Sequence, residues 1–447
     1  MKSSKLLSDF EKVSIKALSL EDIYVFFFTF LFNYLDSGWL SLLSIPMLNK
    51  LGRSWIALGG IIGWYLLFNR RKHFDNVIAS KAISMVAIYL IVRVFFSLNQ
   101  GIPPLAIIGT LKFYYIQCLS LCLLIPYISN LTYTRILAII KLLLYCTIVE
   151  FPFYIVQFLG FDFLKTERSL EVGDIELYRS FAIMPQFSLL LPPALFFLFL
   201  GIGNTKKIVL FVLFSVLCTL LSLTRGQLAS LSITILLVIV VVFIKSKRHR
   251  FLEVTIIGII ALVVISVIHP KLLTFWRYYA IETSTNMEKG EAGTLNVRLN
   301  LFEAANKSLK KENAWLFGLG YKKDYHNKQV DMNLGIGGRY SVVASADTSI
   351  PGIIYTEGYV GLVLRYIPAI LLLVFALKRL RKDSKIEGII LYGSIVTLII
   401  AASFNYVQSS IMRRFLDTLY PIMLLVQLSI LYRKDYVIKN ISNNRFI

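Results

Sequence analysis

The residues of this chain best suited to chemistry are a few arginines and carboxylates that stand apart from its basic clusters. Arg225 occupies a four-residue turn, Thr224-Arg225-Gly226-Gln227, between two apolar runs. Arg179 and the pair Arg413-Arg414 sit at similar junctions, and Arg298 and Arg339 fall within a long polar stretch, 269–351. A guanidinium presents a planar fork of donors that fits phosphate oxygens bidentately, so arginines gathered on one face suit a polyanionic ligand. Asp347 lies in a low-charge segment ahead of an apolar run, and Glu357 follows ten residues later. A carboxylate placed like Asp347 could accept a proton from a sugar hydroxyl. Each residue also has a plainer reading. Arg225 would be a snorkelling anchor among lipid headgroups. Arg298 would pair in solvent with Glu303 or another loop carboxylate. Asp347 would pair with Arg339 or Arg225, which would depress its pKa and make it a weaker base.

Positioning these groups falls to apolar segments. Hydrophobic residues make up 57% of the chain and charged ones 16%, with a mean hydropathy of +0.69. A soluble domain carries nearer a quarter charged residues. The net charge of +21 would suit nucleic acid, but the basic residues fall in short clusters between apolar runs, the pattern of cytoplasmic flanks of membrane helices. Nucleic acid is therefore excluded as a partner, and membrane lipid is expected.

The fold expected is an all-α polytopic membrane protein, one integral domain over 1–447, with about twelve transmembrane helices of roughly 20 residues each. The spans fall near 23–46, 54–69, 82–98, 105–127, 136–158, 182–202, 208–224, 227–244, 253–268, 352–377, 387–410 and 415–432. Basic clusters such as 70–72, 206–207, 245–250 and 378–382 place both termini in the cytoplasm. The turn from Ser129 to Arg135 carries only a weak positive signal. No cleavable signal peptide is expected, because the first apolar run is long and no small-residue cleavage site follows it. No internal repeat is visible, which removes one pointer to a transporter.

Two loops then face outward. The smaller, 160–181, carries Asp162, Glu167, Glu171, Asp174 and Glu176; the larger is 269–351. Within the larger loop, Leu295, Leu299, Phe302, Ala305 and Leu309 recur at helical spacing, with Asn296 as a candidate cap and Arg298 in the first turn. A cation there is mildly unfavourable unless an anion shares the helix N-terminus. Trp315-Leu316-Phe317-Gly318-Leu319-Gly320 reads as an apolar anchor and a turn, not a phosphate loop. His73, His249, His269 and His326 form no metal cluster, and His326 reads as solvated surface before it reads as a base. Cys118, Cys122, Cys146 and Cys218 all lie in apolar runs and read as packing residues. No metal or cofactor is expected.

Taken together, these stretches resemble the O-antigen polymerase/ligase superfamily of bacterial membrane glycan-assembling enzymes. Ser222-Leu223-Thr224-Arg225-Gly226-Gln227 is similar to its Ser-x-Ser/Thr-Arg-Gly motif between two spans. Arg298 followed by Gly318-Leu319-Gly320 resembles the family's loop arginine and Gly-x-Gly. Asp347-Thr348-Ser349, ahead of Glu357-Gly358 and Gly361, resembles its closing motif. Ligases open that motif with His, where this chain has Asp347. Arg179-Ser180-Phe181 is similar to a further polymerase element.

The resemblance implies a metal-independent, inverting glycosyl transfer at the periplasmic face of the bacterial inner membrane. An undecaprenyl-diphosphate-linked oligosaccharide would be both donor and acceptor. Arg225, Arg298 and Asp347 would be catalytic, and Arg179, Arg339, Glu357, Arg413 and Arg414 would bind substrate. A chain-length regulator protein is a partner compatible with this reading. Three rivals remain open: a ligase that moves glycan to lipid A–core, a lipid-linked oligosaccharide flippase or other transporter, and a non-catalytic membrane scaffold.

Overall fold

The computed structural model describes residues 4–34, 124–158, 169–172, 175–178, 187–221, 225–246, 294–319, 349–408 and 420–433, with isolated positions between 88 and 99. The spans expected near 54–69, 105–127 and 253–268 lie wholly or mostly outside the described residues, as does most of the one near 82–98. The described elements are α1 (Lys5–Lys12), α2 (Leu20–Tyr34), α3 (Tyr133–Phe158), β1 (Ser169–Val172) and β2 (Ile175–Tyr178). They continue with α4 (Phe187–Phe199), α5 (Thr205–Leu221), α6 (Arg225–Lys245) and α7 (Thr294–Lys311). Last come α8 (Ser349–Lys382), α9 (Ile386–Gln408) and α10 (Tyr420–Arg433).

The described chain is helical apart from one short antiparallel hairpin. Its strands pair Ser169 with Tyr178 and Val172 with Ile175 inside the smaller acidic loop. Gly173-Asp174 separates them in sequence, a composition suited to a two-residue turn.

Among the described residues, two helices are long and apolar enough to cross a membrane, α3 and the stretch Gln227–Lys245 of α6. Shorter apolar helices occur at Leu190–Phe199, Ile386–Ala401 and Tyr420–Arg433. Only 28% of the most apolar part of α6 is buried within the protein. Leu236, Phe243 and Ile244 are 60%, 68% and 71% exposed. A soluble core helix would hide such residues; a bilayer accepts them.

The core gathers around α9. Helices α6 and α8 pack along it, and α4 touches both α9 and α6. Helix α6 runs antiparallel to α9. Ser230 Oγ donates to the Ala401 carbonyl at 3.3 Å, while at the far end Lys245 Nζ reaches the carbonyls of Arg381 and Asp383 at 2.9 and 3.5 Å. One end of the bundle therefore holds Lys245 and 381–387; the other holds Arg225 and 401–408.

The N-terminal segment docks at the Lys245 end, where the Lys5 amide donates to Glu387 at 3.3 Å. Lys141 Nζ fastens the exit of α1 through the carbonyls of Phe10, Glu11 and Val13 at 3.4, 3.0 and 2.7 Å. Leu7 approaches Gly203 so closely that a Cβ there would overlap it, and the positive φ of 81° independently favours glycine.

Helix α2 opens with a capping box. The Ser19 amide donates to the Asp22 carboxylate at 2.8 Å, and the Asp22 amide donates to Ser19 Oγ at 3.2 Å. Fully buried Asp22 also accepts from Tyr127 and makes a two-pronged ion pair with Arg135. The arginine of the 129–135 turn is thus paired with a carboxylate 113 positions away in sequence.

Candidate functional site

At the opposite end of the bundle, α7 and the segment after it are joined to α8. Helix α7 begins at Thr294, so Asn296 lies inside it and is not its cap. The apolar stripe requires this, since Leu295 can be its first member only from within the helix. Arg298 accordingly stands in the second turn, past the first turn in which it was expected. By helical spacing it shares the stripe of Ala305 and Leu309, both buried as α7 packs on α8.

The end of α7 is closed by Asn313, whose φ of 50° is left-handed. The Ala314 amide donates back to Leu309 at 2.8 Å and the Asn313 amide to Lys310 at 3.3 Å, which satisfies two terminal carbonyls in the Schellman manner. The chain then turns through 315–318, with Gly318 at φ 70° and its amide donating to Ala314 at 2.8 Å.

That turn sits in a break of α8. Gly358 interrupts the helix with φ 69° and ψ −173°, a conformation essentially restricted to glycine. The break deprives nearby backbone groups of their helical partners, and the turn replaces them. Tyr359 and Val360 donate to the carbonyls of Trp315 and Leu316 at 3.0 and 3.1 Å, while the Leu319 amide donates to Tyr355 at 2.7 Å. A Cβ on Gly358 would fall well inside contact distance of the Leu316 carbonyl and the Phe317 nitrogen. Trp315 stacks on Tyr359 with ring centroids 5.7 Å apart. The Tyr359 hydroxyl donates to Asn306 Oδ1 at 2.9 Å.

The residues singled out in the sequence are placed as follows. Arg225 is the first residue of α6, Arg298 lies on α7, and Glu357 precedes the break in α8. Their backbones are described and their side chains are not. Asp347, Arg179, Arg339, Arg413 and Arg414 lie outside the described residues.

Helix lengths bring Arg225 and Glu357 to one end. From Lys245 to Arg225 the rise is about 30 Å, and from Arg381 back to Gly358 about 34 Å. Both helices start from the same contact, the Lys245–Arg381 hydrogen bond. Arg298 is about 12 Å along α7 from Asn306, which is bonded to the residue after the break.

Sequence reading did not single out Asn306, Tyr355 or Tyr359 as parts of this junction. The aromatic content of 315–320 and the paired glycines were the available signal; their mutual contact was not.

A search of the curated proteins finds no match to the chain. Residues 210–366 match a family model described as O-antigen ligase. The matched stretch contains Arg225, Arg298, the Gly318 turn, Asp347, Glu357 and Gly358. It supports glycosyl transfer of the O-antigen ligase or polymerase type in a membrane protein. The match over residues 210–366 supports a likeness to the O-antigen polymerase/ligase superfamily.

Proposed function

We propose that the chain is a polysaccharide polymerase of the bacterial inner membrane, joining undecaprenyl-diphosphate-linked oligosaccharide units into an O-antigen or capsule-like polymer. In this reading it has twelve spans and cytoplasmic termini, with 160–181 and 269–351 facing the periplasm. The observation that carries it is the match over 210–366, combined with the junction at Gly358 that ties the matched loop segment to the matched helix α8.

The reaction is an inverting displacement without metal. Asp347 takes the proton of an acceptor sugar hydroxyl, whose oxygen attacks the anomeric carbon of the donor. The bond from that carbon to the diphosphate breaks, and undecaprenyl diphosphate leaves with the bonding pair. Arg225 and Arg298 stabilise the charge that develops on it. Arg179, Arg339, Glu357, Arg413 and Arg414 hold the glycans and the second diphosphate. A chain-length regulator protein would act on the product.

The polymerase reading is preferred to a ligase because Asp347 stands where ligases have His. A flippase would be expected to carry charged residues through its spans facing a central cavity, whereas Asp36, Arg93, Lys112 and Lys141 are scattered in the sequence. Purified protein supplied with synthetic lipid-linked units and no metal should yield a ladder of longer products. Transfer seen only when lipid A–core is added would make it a ligase. Movement of the intact lipid across vesicles without chain growth would make it a flippase. Cysteine at Lys307 should react with an impermeant maleimide in cells whose inner membrane is intact; labelling only after lysis would overturn the topology.

A further inference from the structure

We propose that the cleft between α3 and α5, closed on one side by α1, holds an acyl chain of an anionic phospholipid with its phosphate at Lys207 and Asn204. This rests on the membrane reading but not on glycosyl transfer. The cleft is a cavity of about 790 Å³ whose walls include Leu137, Leu144, Phe197, Phe211, Leu424 and Leu428. Such a volume is ample for a ligand.

The cleft opens sideways. Tyr145 and Ile148 on α3 are each 47% exposed and Leu210 on α5 is 53% exposed, all three lining it. A slot with apolar lips on two neighbouring membrane helices faces lipid chains. Its far end is shut where Phe151 stacks on Phe214 at 4.8 Å, packed with Tyr154 and Cys218. From Lys141 to Phe151 the cleft runs about 15 Å along α3. That closed depth suits a phospholipid chain rather than a long prenyl tail.

Apart from the Tyr145 and Ser394 hydroxyls, the polar lining groups gather beside α1: Glu11, Lys141, Asn204 and Lys207. Lys141 is occupied by three carbonyls of the α1 exit. Lys207 and its neighbour Lys206 are exposed, at the start of α5, where Asn204 Oδ1 accepts from the Lys207 amide at 3.4 Å. Against them stands one exposed carboxylate, Glu11. Two lysines beside an apolar slot match an anionic headgroup above its chain, and basic pockets between membrane helices take such headgroups.

The test uses the purified full chain in detergent with added phosphatidylglycerol or phosphatidylcholine, read by native mass spectrometry and by the thermal unfolding midpoint. Phosphatidylglycerol should be retained preferentially and should raise the midpoint more. Lys206→Ala with Lys207→Ala should lower the preference roughly fivefold per lysine, leaving phosphatidylcholine retention unchanged. Ala194→Phe, which fills the cleft wall, should reduce retention of both lipids. Equal retention of the two lipids by the unaltered chain, or an undiminished preference in the double-lysine variant, would overturn the proposal. Retention that Ala194→Phe leaves unchanged would also overturn it. A failure to make a glycan ladder does not bear on these readouts.

Discussion

The two ends of the bundle are held together by different kinds of bond. At the α1 end the ties are charged side chains: Asp22 with Arg135, Lys141 with three carbonyls, and Lys245 with two. At the Gly358 end the ties among the described residues include backbone amides and carbonyls, the Trp315–Tyr359 stack and the Tyr359 hydroxyl. A charge engaged in structure is not available to a ligand. A junction made from backbone asks nothing of the charged side chains near it. The contrast therefore assigns structural work to Arg135 and Lys141, whose charges are already engaged.

The sharpest way to break this contrast is to substitute the proposed catalytic groups. Asp347→Asn should cut turnover by about 10²- to 10⁴-fold, measured as ladder growth, with the unfolding midpoint unchanged. Arg225→Lys should likewise lose most activity at normal expression, because an ammonium cannot reproduce the bidentate fork. A near-normal ladder from the lysine variant would return Arg225 to a headgroup anchor.

At the α1 end the loss should be one of stability. Asp22→Ala strands Arg135 and removes the acceptor of the Tyr127 hydroxyl. Breaking a buried pair costs about 3–5 kcal/mol. The lower figure is expected here, because Arg135 is 27% exposed and recovers some water. Turnover per folded molecule should stay constant, and a specific catalytic defect in this variant would erase the distinction between the ends.

Gly358→Ala tests the junction itself. The backbone strain alone is about 1–3 kcal/mol, and the new methyl also meets the 316–317 backbone. Chemical denaturation should show the loss, and activity should fall with it if α7 is held in place by this contact. The smallest effect is expected from Tyr359→Phe, which removes the bond to Asn306 and keeps the Trp315 stack. About 0.5–1.5 kcal/mol should be lost, and a larger loss would mean that side chains matter more here than the backbone does.

Much of the helical pattern was legible in the residues, because hydropathy and the i, i+4 repeat are local properties of the chain. The apolar runs near 136–158, 227–244 and 387–410 lie within or largely overlap α3, α6 and α9; of the stripe expected on α7, Ala305 and Leu309 are buried and Phe302 is 37% exposed. The motif order from Arg225 to Gly361 pointed to the superfamily that residues 210–366 match. Tertiary structure alone decided which charges are structural. Arg135 meets Asp22 across 113 positions and Lys141 meets Val13 across 128, pairings that no local pattern encodes. It also decided that the Gly318 turn and the Glu357-Gly358 element form one junction. A helix break leaves backbone groups that must find partners, and only the folded chain brings a turn some forty residues upstream to supply them.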